Sequence, residues 1–181
     1  MGELASSEQL RMVFVRRALI VVPLIVLLGF VSGSVGGNGG DNPWYAALDK
    51  PWFNPPDIAF PIAWTTLYIL IGLALTLVLA ARGAATRKTA VQFALNLVWS
   101  PVFFGMREPG WALVVIVAMI VFTAATTISF WRIRQSAGLL MLPYLAWLCF
   151  AGALNWQIVR LNPNAANLVV PGSSTQIQLK R

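Results

Sequence analysis

The segment "WYAALDKPWFNPP", residues 44–56, lies between two strongly apolar runs of the sequence. It carries several aromatic rings and three prolines, Pro51, Pro55 and Pro56. A connection that only joins two membrane helices can be short and polar. Proline fixes a backbone angle and lowers the entropy that is lost when a loop becomes ordered. The sequence therefore predicts a stiff, structured segment here with a role beyond joining two helices.

The composition around this segment is typical of a membrane protein. Of the 181 residues, 58% are hydrophobic and only 10% are charged, whereas soluble domains have roughly 25% charged residues. Apolar runs long enough to cross a bilayer account for the missing charge, so we expect an all-α integral membrane protein. The net charge is +7. Its basic residues lie in loops and tails, where they meet lipid headgroups, and we expect no nucleic-acid partner.

Five apolar segments, each near the ~20 residues that span a bilayer, follow a polar start. We place these spans at residues 18–36, 58–81, 89–104, 110–131 and 137–159. The expected organisation is a polar N-terminal extension, a membrane domain and a polar tail, at residues 1–17, 18–160 and 161–181. Four spans have a proline inside them or at their edges, and the resulting kinks favour a cavity between helices.

The first span also has features of a secretory signal peptide, because basic residues precede "ALIVVPLIVLLGFV" and small residues follow it. We favour a retained membrane helix, since four other spans need a partner. Lysine and arginine counts then predict the orientation. The side that holds the N-terminus carries eight of these residues and the other side carries five. The N-terminus is therefore expected on the cytoplasmic side of a bacterial cell membrane, opposite residues 44–56.

The residue types for acid–base or metal chemistry are scarce. The sequence has no histidine, and its single cysteine, Cys149, lies in an apolar segment. No carboxylate lies deep in a span, although ion-coupled carriers usually need an ionisable group at membrane depth. We therefore expect no metal site, no conventional catalytic residues and no obligatory cofactor.

The predicted spans contain an unusual number of aromatic side chains, some of which share a helix face with amide side chains. Three sets share a helix face: Trp64 with Tyr68, Asn96 with Trp99, and Trp147 with Ala151 and Asn155. Tryptophans near span ends, such as Trp131 and Trp156, are best explained as interface anchors. A buried amide needs a partner, so an aromatic box with a few amides predicts a pocket for a flat ligand.

Four motifs give the chain a family resemblance. "WYAALDKPWFNPP", "AWTTLY", "ALNLVWSPVFFG" and "PYLAWLCFAGALNW" occur in this order over residues 44–162. They resemble the TspO family, whose members are also called tryptophan-rich sensory proteins or translocator proteins. The resemblance implies a five-transmembrane-helix bundle with a ligand cavity, and a lid loop between helices 1 and 2. The lid would consist of Trp44, Pro51, Trp52, Pro55 and Pro56, with Tyr45 and Trp52 covering the cavity.

The same resemblance implies porphyrins, notably protoporphyrin IX and haem, as ligands. The implied pocket residues are Tyr45, Trp64, Asn96, Trp99, Trp147, Ala151 and Asn155, with Phe60 and Trp111 nearer the edge. Mitochondrial members also bind cholesterol and benzodiazepine-type compounds. This chain has Ser100-Pro101 where some members have an Asn-Gln pair, and Trp156 where the cholesterol motif requires tyrosine. A change in pocket hydrogen bonding and a ligand other than cholesterol are therefore expected.

Three functions are compatible with these features. The leading one is a membrane receptor or sensor that binds porphyrin and adjusts tetrapyrrole metabolism or a stress response. The alternatives are passive translocation of porphyrin or lipid, and light-dependent porphyrin breakdown involving Trp64 and Trp147. The resemblance, together with the small-residue spacings Gly29/Gly33 and Ala90/Ala94, also predicts a homodimer.

Overall fold

The computed structural model describes residues 7–37, 42–81 and 87–168, and all regular secondary structure in these ranges is helical. Of the predicted polar tail, residues 161–181, the part beyond residue 168 lies outside the described residues. The α-helices are α1 Ser7–Gly36, α2 Pro43–Ala46, α3 Ala59–Ala80, α4 Arg87–Ser100, α5 Pro109–Ile133 and α6 Gln135–Leu161. A π-helical turn, Pro101–Gly105, continues α4, and a 3₁₀ turn, Ala165–Asn167, follows α6.

Within the described residues, four helical segments are long and apolar enough to cross a membrane, which confirms the expected all-α class. They are Arg11–Val35, Ala59–Ala80, Pro109–Ile133 and Gln135–Leu161. The remaining predicted span, residues 89–104, corresponds to α4 and the π-helical turn, and α4 itself has only 14 residues.

Helix α1 begins at Ser7, so it extends from the span predicted at residues 18–36 into the predicted polar N-terminal extension. Neither glycine nor proline occurs between Glu3 and Val22. The helical hydrogen bonding can therefore continue from the apolar span into the preceding polar residues.

Helices α1 and α3 approach each other closely at two glycines. A Cβ atom on Gly29 would lie 2.2 Å from Cε2 of Tyr68, and one on Gly72 would lie 2.9 Å from Cα of Val22. Ile25 of α1 is also buried in the core that α3 forms with α5 and α6. Helix α1 is therefore packed as a membrane helix of the bundle.

This packing changes the interpretation of the Gly29/Gly33 spacing. Both glycines are buried within the chain, so their spacing serves contacts inside the bundle rather than a surface for a second copy. Ala90 and Ala94 are exposed on α4. The homodimer remains a prediction, and of the two spacings only the one on α4 could contribute to it.

The helical geometry changes where α4 ends. Pro101 has no backbone N–H to donate, and the helix widens into the π-helical turn, in which the amide of Met106 donates to Pro101 O at 2.9 Å. This turn places Phe103, which is 2% exposed, in an apolar cluster with the connection between α1 and α3. The cluster consists of Trp44, Tyr45, Leu48, Phe103, Ala112, Leu154, Ile158 and Ala165.

Candidate functional site

A cavity of about 310 Å³ lies among α1, α3, α4 with its π-helical turn, α5 and α6. Its volume is at the lower end of the roughly 300–1,000 Å³ usual for small-molecule pockets. Nine of the residues that line it are aromatic: Phe30, Tyr45, Phe60, Trp64, Tyr68, Trp99, Phe103, Phe104 and Trp147. Residues exposed to the outside, Phe30, Asp57 and Pro61, form its mouth between α1 and the start of α3.

Eight of the nine predicted pocket residues line this cavity. They are Tyr45, Phe60, Trp64, Asn96, Trp99, Trp147, Ala151 and Asn155. Trp111 does not line it and is 67% exposed. Helix α5 begins at Pro109, and its rotation directs Ala112, which is fully buried, into the bundle instead. The expectation that Trp111 lies at the pocket edge is therefore not met.

The predicted lid residues take different positions. Trp44 is 1% exposed and Pro51 is buried, whereas Pro55 is half-buried and Pro56 is exposed. Trp52 is 96% exposed, so the expectation that it covers the cavity is wrong. It lies in a tight turn, closed by the bond from Asn54 N to Pro51 O at 2.9 Å, which directs its ring outward. Of the two residues expected to cover the cavity, Tyr45 lines it and Trp52 does not.

The helical spacing of residues 60, 64 and 68 builds one aromatic wall. Trp64 stacks on Tyr68 with ring centroids 5.4 Å apart, and Trp147 of α6 meets the edge of Trp64 at 6.5 Å. On the other side, Trp99 stacks on Phe103 at 5.1 Å. Stacked and edge-to-face rings of this kind present flat apolar surfaces to whatever enters the cavity.

A buried hydrogen-bond chain joins three helices at the cavity. Tyr68 Oη of α3 donates to Asn96 Oδ1 of α4 at 3.1 Å, and Asn96 Nδ2 donates to Tyr144 Oη of α6 at 2.9 Å. All three side chains are buried, so each bond satisfies a polar group that water does not reach. The sequence reasoning missed Tyr144. Its position three residues before Trp147 on the same helix face was the available signal.

We expect the substitution Asn96→Leu to lower the free energy of unfolding by about 1–3 kcal/mol, because it leaves two buried tyrosine hydroxyls without this partner. Tyr144→Phe removes only one of the two bonds and should cost less. Unfolding by SDS in mixed micelles measures both variants. A difference below about 0.5 kcal/mol for Asn96→Leu would contradict the structural role of this chain.

Several polar atoms of the lining residues have unused hydrogen-bonding capacity. Trp99 Nε1, Ser100 Oγ, Trp147 Nε1 and Asn155 Oδ1 are buried and have no partner within residues 7–37, 42–81 and 87–168. Asn155 uses its other group, since Nδ2 donates to Pro109 O at 2.8 Å. These atoms are uncharged, so after a small reorientation of their side chains they could bond to a neutral polar group of a ligand or to a water molecule.

Charged groups occur near the mouth of the cavity and not deep inside it. Lys50 Nζ lies 4.6 Å from the ring centroid of Tyr45, whose hydroxyl donates to Asn54 Oδ1 at 3.4 Å. Burial, and after it the negative charge of Asp57, raises the pKa of Tyr45 above its ordinary value, and the Asn54 bond opposes this. Tyr45 is therefore a neutral hydrogen-bond donor at physiological pH. Asp57 is the one carboxylate in the described lining.

Comparisons with known proteins identify relatives of this chain. A family model described as the TspO/MBR family matches residues 20–161. The tryptophan-rich sensory protein of Cereibacter sphaeroides is 46% identical over 123 residues, which cover 67% of this chain and 78% of that protein. The tryptophan-rich protein TspO of Chlorobaculum tepidum is 38% identical over 159 residues, 81% and 99% of the two chains. The human translocator protein is 39% identical over 142 residues, which cover 75% of this chain and 84% of that protein.

Proposed function

The chain belongs to the TspO/MBR family of integral, multi-pass membrane proteins, and from this membership we propose that it is a membrane receptor or sensor for porphyrins. The ligand, protoporphyrin IX or haem, would occupy the aromatic cavity, and binding would adjust tetrapyrrole metabolism or a stress response. No catalytic residue and no obligatory cofactor belong to this proposal. The name of the bacterial relative, "tryptophan-rich sensory protein", is consistent with a sensor.

The proposal includes a five-span bundle. Helix α4 and its π-helical turn together extend over residues 87–105 and pack against α1 and α5. We assign this unit as the remaining membrane span. The N-terminus would lie on the cytoplasmic side, and the α1–α3 connection, residues 42–58, would act as a lid on the opposite side. From here on, "lid" denotes residues 42–58.

The observation that carries the proposal is the pair of aromatic walls, Trp64 with Trp147 and Trp99 with Phe103, on either side of one apolar cavity. A porphyrin is a broad aromatic ring with two acidic side chains. Its ring suits these surfaces, and its acidic groups would remain at the mouth, where water and Lys50 solvate them. A ring of this width also requires the cavity to widen, which a movable lid would permit.

Passive translocation is the second candidate. It is favoured by the cavity mouth between α1 and α3, which is lined by the exposed residues Phe30 and Pro61 and offers a side entrance from a bilayer. The name of the human relative, "translocator protein", is consistent with translocation. Counterflow of labelled porphyrin in proteoliposomes separates the two functions, because a receptor that only binds its ligand gives no counterflow.

Equilibrium binding of two matched porphyrins tests the proposed orientation. Protoporphyrin IX carries two carboxylates, and its dimethyl ester carries none. If the ring lies in the cavity and the acids lie at the mouth, both compounds should bind with the same stoichiometry, and both should lose affinity when Trp64 is replaced by alanine. Binding of the acid alone, indifferent to Trp64→Ala, would indicate attraction to surface charge and not to the cavity.

The substitution Asp57→Asn should strengthen binding of protoporphyrin IX by about two- to fivefold, because it removes a negative charge from the mouth where the ligand acids lie. The gain should shrink as salt is added, since the group is exposed and its field is screened. The dimethyl ester should show no gain. Glu108→Gln is the matched control, because it removes a charge at the same end of the bundle but outside the cavity lining. Equal effects of both substitutions would contradict the proposed orientation.

A further inference from the structure

Three side-chain hydrogen bonds join the segment after α6 to the lid. The indole Nε1 of Trp44 donates to Ala165 O at 2.8 Å. The amide of Asp49 donates to Asn162 Oδ1 at 2.9 Å, and Asn162 Nδ2 donates to Asp49 O at 2.8 Å. The side-chain oxygen and nitrogen of Asn162 thus both bond to the backbone of Asp49.

The side chain of Asn162 is also held by its own helix. Its Nδ2 atom donates a second bond to Ile158 O at 2.9 Å, so its orientation toward the lid is fixed from the end of α6. Apolar packing accompanies these bonds. Ala165 is 4% exposed and lies in the same cluster as Trp44 and Leu48. The contact is therefore a structured interface with both polar and apolar parts.

The same elements reach the cavity. Leu154, Ile158 and Asn162 follow one another at four-residue spacing on α6 and its end, and the first two line the cavity. On the lid, Tyr45 lines the cavity while its neighbour Trp44 binds the segment after α6. Holding Trp44 and Asp49 in place therefore also fixes Tyr45 over the cavity.

We propose that residues 162–168 form a latch that keeps the lid closed, and that Asn162 is a positioning residue for the ligand site although it does not line the cavity. Opening the lid requires these three bonds to break and Trp44 to leave its cluster. The latch therefore sets how often the lid opens. The consequence for ligand exchange rests on the proposed porphyrin function, whereas the mechanical part of the inference does not.

Hydrogen exchange of the ligand-free protein in nanodiscs tests the mechanical part. The amides of Ala46, Ala47 and Leu48 bond within the lid itself, so Asn162→Ala removes none of their acceptors. Loss of the two bonds to Asp49 should speed their exchange about tenfold through more frequent opening. Asn164→Ala is the matched control, because the exposed Asn164 makes no side-chain capping bond in the same segment. Equal exchange rates in the two variants would overturn the latch.

Stopped-flow measurement of porphyrin release in the dark tests the functional part. Asn162→Ala should raise the dissociation rate constant about tenfold, because release requires the lid to open, whereas Asn164→Ala should leave it unchanged. Trp44→Phe keeps the aromatic ring, removes the bond to Ala165, and should shift release in the same direction. Faster lid exchange in a protein that binds no porphyrin would leave the latch standing and reject the proposed function. Unchanged release despite faster lid exchange would reject Asn162 as a positioning residue for the ligand.

Discussion

Replacing Trp147 by alanine is expected to weaken protoporphyrin IX binding by about 30-fold or more, which corresponds to the ~2 kcal/mol that defines a binding hot spot. Trp147 meets the edge of Trp64 at 6.5 Å and of Phe60 at 6.2 Å, so its loss removes one wall of the cavity and frees two neighbouring rings. The side chain is large, and an aromatic surface of this size dominates the apolar contact with a flat ligand. Equilibrium titration of the purified variant in the dark measures the change.

The matched control for this experiment is Trp156→Ala. Trp156 lies on the same helix but is 48% exposed. The guanidinium carbon of Arg160 lies 5.1 Å from the centroid of its ring. It does not line the cavity. We expect its removal to change affinity less than about twofold, because no ligand contact is lost. Similar losses in both variants would show that binding depends on tryptophan content or on general stability, and not on this cavity.

The substitution Gly29→Ala is expected to lower the free energy of unfolding by about 1–3 kcal/mol, because overpacking forces neighbouring groups out of position. A Cβ atom there would lie 2.2 Å from the ring of Tyr68. That ring cannot move freely, since it stacks on Trp64 and its hydroxyl donates to Asn96. The added methyl group should therefore also disturb the aromatic wall and weaken porphyrin binding by about tenfold.

Gly110→Ala provides the comparison for Gly29→Ala. A Cβ atom on Gly110 would have no heavy atom within 4 Å, so the same chemical change meets open space. In the first turn of α5, alanine should be neutral or slightly stabilising. Unfolding by SDS and porphyrin titration should therefore separate the two variants clearly. A Gly29→Ala protein as stable as Gly110→Ala would contradict the close packing of α1 on α3.

Local spacing explains which parts of the site could be predicted from the sequence. Trp64 and Tyr68 lie four residues apart, and Trp147, Ala151 and Asn155 follow the same rule, so one helix face had to present each set. The structure places all five of these residues in the lining of the cavity. The bounds of α3, α5 and α6 were predictable to within a few residues, since a long apolar run leaves little choice of structure, whereas the start of α1 in polar residues was not.

The features that sequence reasoning missed depend on contacts between distant segments. Asp49 and Asn162 are 113 residues apart, and no local pattern connects them. Trp111 and Trp52 were assigned to the site by resemblance, but their exposure depends on how α5 is rotated and on a tight turn after Pro51. The Gly29/Gly33 spacing suits helix contacts within one chain as well as between two chains. The position of Tyr68 against Gly29 shows that the contact is within the chain.

The most direct test of the account is a tryptophan-fluorescence titration of the unmodified protein with protoporphyrin IX in the dark. Trp64, Trp99 and Trp147 line the cavity, so a porphyrin bound there should quench their emission. We predict saturable quenching with one porphyrin bound per chain, and the dimethyl ester, which carries the same ring, should quench with the same stoichiometry. Quenching that rises linearly without saturation, or that the ester does not reproduce, would contradict a porphyrin site in this cavity.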